Sequence, residues 1–255
     1  MPLEPQTSPS HASPDHAGDS SAPRTLTIDI GGTGIKMLVL DADAKAVNER
    51  ARTLTPKPAT PDALLAVIKT MAAEQPSFDR VAVGFPGVVK RGVTFSAANL
   101  GNDFWLRFPL QEHIEAIVGR PVLVMNDADL QGYGVIVGKG VELALTLGTG
   151  LGAGLYVDGR LVPNLELGHH PWKKEKTYEE RLCDAELTEI GKKRWSARVL
   201  EMIAQLEPIF NYDTLYIGGG NAEHIKGDLP ANVKIFTNVE GMAGGVKLWT
   251  TAKIV

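Results

Sequence analysis

The sequence predicts a two-lobed α/β protein. Runs of β-branched and aliphatic residues alternate with stretches whose apolar positions recur every three or four residues, as expected for strands and helices packed in layers. A Gly-Thr-Gly turn between two apolar runs occurs at Gly32–Gly34 and again at Gly148–Gly150, as if one design were used twice. The chain's 255 residues, 44% hydrophobic and 22% charged, suffice for one large domain or two modest lobes and exclude a fibrous or wholly disordered chain.

Residues 1–23 mix Pro, Ser, His and Asp with almost nothing to bury, and are expected to be a disordered tail. Order is expected from Thr25. Thr25–Ile30 reads as a strand stopped by Gly31-Gly32, Lys36–Leu40 as its hairpin partner, and Val47–Leu54 as a third strand. Thr55-Pro-Lys-Pro-Ala-Thr-Pro61 cannot lie inside a strand or helix, because its prolines donate no hydrogen bond. Thr60 is a fitting N-cap with Pro61 at the first helical position, and Leu64, Leu65, Ile68 and Met71 share one face of a helix running to about Gln75.

Arg80–Phe85 reads as a buried strand, Leu110–Val118 as an amphipathic helix and Val122–Met125 as a short strand ending at Asn126-Asp127. Ala128-Asp129 opens a helical pattern. A second phase then brings strands at Leu143–Leu147, Ala153–Val157 and Thr214–Ile217, a long helical stretch at Thr188–Phe210 and a closing helix at Gly241–Ala252. These elements divide into a small α/β lobe over 24–125 and a large one over 126–255, with the last helix packing back on the small lobe.

Charge and cysteine content narrow the function classes. With 26 basic and 30 acidic side chains, the net charge of −4 gives no reason to expect nucleic-acid or membrane-surface binding. Cys183 stands alone, so it forms no internal disulfide and anchors no Cys-rich zinc site. A reducing interior fits. No apolar run reaches membrane-spanning length, and no lysine or arginine precedes Arg24, so signal and transit patterns are absent. A cytoplasmic location is expected.

Several patterns carry chemistry. Turns without Cβ atoms bring backbone N–H groups close to anionic oxygens, and the threonine between the glycines adds a hydroxyl. Either turn alone is equally a plain hairpin. The pair, with Gly218-Gly219-Gly220, favours a phosphate cleft. Asp29, an acid in an apolar strand beside the first turn, suits a magnesium-linked role unless it faces solvent from an edge strand. Asn126-Asp127 follows a strand end, where ligand-facing residues gather, although from the dipeptide alone a helix N-cap is the favoured reading. Glu166-Leu-Gly-His169 brings together a carboxylate and an imidazole able to hold vicinal hydroxyls, with a plain loop as the alternative. Trp172-Lys-Lys-Glu-Lys176 is a solvated basic cluster or part of a polyanion groove.

In this order, Asp29-Ile-Gly-Gly-Thr-Gly34, Asn126-Asp127, Leu147-Gly-Thr-Gly-Leu-Gly-Ala-Gly154, Glu166-Leu-Gly-His169 and Ile217-Gly-Gly-Gly220 resemble the ROK sugar kinases of the actin/hexokinase-like superfamily. Thr55–Pro61, Phe85-Pro-Gly-Val88 and Ser96-Ala-Ala-Asn99 are similar to the polyphosphate-using glucokinases and glucomannokinases within that family. The resemblance implies a ribonuclease H-like fold, a duplicated βββαβα core with a cleft between the lobes.

It also implies that the chain makes glucose 6-phosphate from glucose with inorganic polyphosphate as the donor, and with ATP as a candidate second donor. The alternatives are an ATP-dependent hexose or amino-sugar kinase, or a sugar-sensing repressor, for which residues 1–23 are too short and Pro-rich to supply a helix-turn-helix. Asp127 would be the general base, and Asn99, Asn126, Glu166 and His169, with Glu179 or Glu180, would hold the sugar. Gly31, Gly32, Thr33, Gly34, Lys36, Gly148, Thr149 and Gly150 would hold the phosphates, and Gly218, Gly219 and Gly220 would flank a nucleotide. Asp29 would position Mg2+ through water. Many family members carry a Cys-rich zinc motif after the Glu-x-Gly-His segment; with Cys183 alone, no structural zinc is expected. A homodimer is the expected assembly.

Overall fold

The structure is a computed structural model that describes residues 22–97 and 99–251, with Asn102 described in its backbone only. Residues 1–21, on which the expected tail chiefly falls, and Ala252 of the expected closing helix lie outside the described residues.

The first half builds one five-stranded sheet. Strands β1 (Thr25–Ile30), β2 (Gly34–Leu40) and β3 (Ala51–Leu54) form an antiparallel meander. Helix α1 (Pro61–Ala73) leads to β4 (Arg80–Phe85), which pairs parallel to β1. A small hairpin, β5 (Val89–Lys90) and β6 (Val93–Thr94), and helices α2 (Asn102–Trp105) and α3 (Leu110–Val118) precede β7 (Val122–Asn126), parallel to β4. The order is β3-β2-β1-β4-β7. Thr60 caps α1 by accepting from the Ala63 N–H, and Leu64, Leu65, Ile68 and Met71 are buried against the sheet.

Helix α4 (Asp127–Val135) joins the halves, and the plan then repeats. Strands β8 (Val141–Leu147), β9 (Leu151–Val157) and β10 (Arg160–Val162) form a second meander. A hairpin of β11 (Pro171–Trp172) and β12 (Lys176–Thr177) follows, with helices α5 (Tyr178–Leu182), α6 (Asp184–Ile190) and α7 (Lys192–Phe210). Strands β13 (Thr214–Gly218) and β14 (Val233–Ile235) continue the sheet in parallel, giving β10-β9-β8-β13-β14. The chain ends in α8 (Asn238–Met242) and α9 (Gly244–Thr251). Both sheets thus have the same order and sense. No helix among the described residues is long and apolar enough to cross a membrane.

Three boundaries differ from the sequence-based expectation. The third strand starts at Ala51, not Val47, because Asn48 Oδ1 accepts the Val39 N–H at 3.0 Å and takes the place of a backbone partner. The stretch Thr188–Phe210 is two helices, parted at Gly191, whose φ of 76° and ψ of 156° are not helical. The closing helix is likewise two, with Ala243 between them and a capping box from Thr237 and Glu240 starting the first.

Helix α4 packs between the sheets, touching β4 and β7 on one side and β8 and β9 on the other, while α8 and α9 close over it. It is buried nearly all round, so it shows no amphipathic stripe. Glycines permit the approach: a Cβ on Gly244 would stand 1.8 Å from Leu130 O, and one on Gly134 2.2 Å from Glu240 O. Helix α9 reaches β1 and β4, so the chain's last described helix returns to the first sheet.

Candidate active site

The two Gly-Thr-Gly turns close the β1–β2 and β8–β9 hairpins, and the folded chain brings them face to face. Gly31 N–H donates to Gly34 O at 3.0 Å in one turn, and Gly148 N–H to Gly150 O at 3.0 Å in the other. A Cβ on Gly32 would stand 3.7 Å from Thr149 Cγ2. Thr55, first residue of the proline-rich segment, braces the first turn by donating its hydroxyl to Gly31 O at 2.5 Å. Trp105 holds that same segment through Nε1–H to Ala59 O at 3.0 Å.

Between the turns lies an open cavity of about 460 Å³. It is lined by Asp29, Gly31, Gly32, Thr33, Gly34, Lys36, Asn99, Asn126, Asp127, Gly148, Thr149, Gly150, Glu166, His169, Glu179, Gly219 and Gly220, which, the alternative acid Glu180 apart, are all the residues expected at the site save one. The exception is Gly218, the last residue of β13, where a Cβ would fall 2.3 Å from the Phe236 ring. Its place at the cavity is taken by Asn221. Gly219, at φ 88°, runs so near Leu147 that a Cβ would meet its carbonyl oxygen at 2.3 Å. Glu180, the other candidate for the last sugar-holding acid, instead completes the capping box of α5 with Thr177. The basic cluster forms the turn of the β11–β12 hairpin, where Lys173 pairs with Glu201 and Lys176 with Glu186; it does not line this cavity.

Asn126 and Asp127 divide the two readings of their dipeptide. Asn126 is the cap, its Oδ1 accepting from Ala128 N–H at 2.9 Å and Asp129 N–H at 3.1 Å, while its Nδ2 donates to Gly87 O at 3.2 Å. Asp127, the first residue of α4, lines the cavity, and its Oδ1 accepts from Ala128 N–H at 2.8 Å. Loss of solvent raises its pKa to about 8, with the charges of Asp29, Glu166 and Asp129 adding to the rise and the Ala128 N–H opposing it. Behind it Asp129, 1% exposed, is raised to about 7 by burial, partly offset by the Asn164 N–H.

Asp29 sits in β1, the central strand, and is 6% exposed, so it is not an edge-strand surface acid. Its partner is Lys36 directly across the hairpin, Nζ to Oδ2 at 2.8 Å. Glu166 Oε1 is buried with no hydrogen-bond partner among the described residues, and burial raises the carboxyl's pKa against the pull of His169. Glu179 Oε2 accepts from Leu151 N–H at 2.9 Å, beside the second turn. Among the described residues no three His, Cys, Asp or Glu side chains gather as a metal cage.

Sequence reasoning missed Arg50, Arg52, Ser96, Gln131, Asp184, Asn221 and Asn238, which also line the cavity. Arg50, just before the third strand, and Arg52, within it, are readable in the sequence as two basic residues at alternate positions. The others come from loops and helix faces that carry no local signal.

The ROK family profile matches residues 25–184. The polyphosphate glucokinase of Mycobacterium leprae (strain TN) is 36% identical over 231 residues, which cover 85% of this chain and 68% of that one. Among solved structures, the inorganic polyphosphate/ATP-glucomannokinase of Arthrobacter sp. strain KM superposes with a TM-score of 0.79 at 32% identity, covering 89% of this chain and 98% of that one. A ROK family glucokinase from Streptomyces griseus, in complex with glucose and AMPPNP, matches with a TM-score of 0.73 at 22% identity over 88% of this chain and 98% of that one, a likeness of fold.

Proposed function

The chain belongs to the ROK family, and we propose that it transfers the terminal phosphoryl group of inorganic polyphosphate, and also of ATP, to the 6-hydroxyl of glucose. The observation that carries this reading is one cavity in which a buried Glu166 oxygen, without a hydrogen-bond partner among the described residues, and the Asp127 carboxyl with its raised pKa lie with two facing glycine turns. Unpaired buried acceptors suit a ligand rich in hydroxyl donors, and backbone N–H groups at Cβ-free turns suit phosphate.

In this reading Asn99, Asn126, Glu166, His169 and Glu179 hold the sugar hydroxyls and so fix the 6-hydroxyl beside Asp127. As the sugar oxygen bonds to phosphorus, the phosphorus–oxygen bond to the rest of the donor breaks. The hydroxyl proton passes to Asp127, and the donor leaves one phosphate shorter. A carboxyl with a raised pKa is a stronger base than an ordinary aspartate, closer to the operating pH. Thr33, Thr149 and the turn N–H groups, with Lys36, orient the phosphates. Positioning and charge stabilisation supply most of the catalysis in this chemistry.

Mg2+ fits Asp29, since this ion takes one or two carboxylates plus donor phosphates and retained waters rather than an all-protein cage. Asp29 keeps Oδ1 beyond its bond to Lys36, and the bound ion would neutralise phosphate charge. The test is a coupled assay for glucose 6-phosphate with purified protein and Mg2+, offering long-chain polyphosphate and ATP separately. Turnover of glucose with polyphosphate is expected. Absence of turnover with both donors on every hexose tried would overturn the reading.

A further inference from the structure

The cavity's charge is uneven. Asp127, Glu166 and Glu179 belong to the face read as the sugar site, whereas the first sheet supplies the bases Lys36 and Arg52, and the residue just before β3 a third, Arg50. Arg52 lies opposite Lys36 in the β2–β3 register, and Lys36 opposite Asp29 in the β1–β2 register, so Arg52, Lys36 and Asp29 form a row on one face of the sheet. Arg50 precedes Arg52 by two residues, and both are exposed while lining the cavity. The Arg52 side chain reaches the phosphate turn itself, where a Cβ on Gly34 would meet its Nε at 3.1 Å.

Lys36 is neutralised by Asp29. Neither Arg50 nor Arg52 has an ion pair or side-chain hydrogen bond among the described residues. Edge strands often carry charge only to resist pairing with other chains. Solvation alone, however, does not require two unpaired guanidiniums on the wall of the cavity that holds both phosphate turns. Guanidinium is also the group best matched to phosphate oxygens, through its fork of N–H donors.

We infer that Arg50 and Arg52 form an outer anion subsite along β3, which holds the part of a linear polyphosphate lying beyond the phosphate being transferred. The inference rests on the donor reading above and extends it to chain length. A long polyanion reaches the subsite, and tripolyphosphate reaches it in part or not at all. Affinity therefore grows with donor length, and more steeply at low salt, where exposed charges are least screened.

The test compares wild type with R50Q/R52Q by equilibrium binding of long-chain polyphosphate, tripolyphosphate and ATP, with donor KM measured alongside and thermal denaturation checking the fold. Losing two phosphate contacts should raise the ratio of the long-chain Kd to the tripolyphosphate Kd by about tenfold. The gap should narrow as salt rises. Equal long-chain binding by the two proteins overturns the subsite, as does an equal loss for tripolyphosphate, which would place the arginines at the transferring phosphate. Wild type that binds no polyphosphate overturns it too. Binding that depends on the arginines without glucose turnover would leave the subsite standing and remove the donor reading.

Discussion

At the scale of single residues, the environment decides what Asp127 does. An ordinary aspartate is a weak base, and the cavity walls with the neighbouring Asp29 and Glu166 charges raise this one to about 8. Asp127→Asn keeps the shape and removes the base, so kcat should fall roughly 10³-fold while glucose binding by calorimetry changes little. For the empty enzyme, kcat/KM should rise with pH along a limb governed by a group near 8. Stability should run the other way. The folded chain holds this proton to higher pH than the unfolded chain, whose carboxyl titrates near 4, so the stabilising contribution is complete below about pH 4 and fades as pH climbs through about 8. Asp127→Asn should accordingly denature at a higher temperature than wild type near pH 9 and at a similar one near pH 4, which calorimetric scans would reveal. Glu166→Ala removes a buried acceptor that lacks a partner among the described residues, and should raise the KM for sugar far more than that for donor.

Elements matter by how they hold these residues. The segment after β10 carries Asn164, which ties the two halves together two residues before Glu166. Its side chain accepts from Val89 N–H at 2.9 Å and donates to Val89 O at 3.1 Å, imitating a strand partner for β5, while its backbone N–H donates to buried Asp129 at 3.1 Å. Asn164→Ala cuts both side-chain bonds. It should raise the sugar KM several-fold with a smaller change in kcat, and lower stability by about 1–2 kcal/mol; steady-state kinetics with denaturant titration would measure both. Equal sugar KM in variant and wild type would show that the tie does not position Glu166.

For the whole molecule, α4 couples the sheets because α8 and α9 clamp it to β1 and β4. Gly244 has no room for a methyl group, since its Cβ would overlap the Leu130 carbonyl. Gly244→Ala should therefore cost about 1–3 kcal/mol of stability and disturb Asp127 through α4, seen as a lowered denaturation midpoint with reduced kcat. Little of this clamp is visible in the chain: glycines 134, 241 and 244 look like breakers, yet they are the contact surfaces of closely packed helices.

Local chemistry, read residue by residue, was enough to identify both glycine hairpins, the Thr60 cap and the strand that delivers Asp127, whereas Asn99, Lys36 and Glu179 entered only through the family resemblance. Strand periodicity, proline geometry and capping act over a few residues, so they leave local marks. Tertiary structure alone decided that Asn126 caps while Asp127 faces the cavity, that Gly218 serves the Phe236 ring, and that Arg50 and Arg52 join the wall. Those outcomes depend on burial, on desolvation and on which distant segments meet, quantities that belong to the folded surface and to no single stretch of sequence.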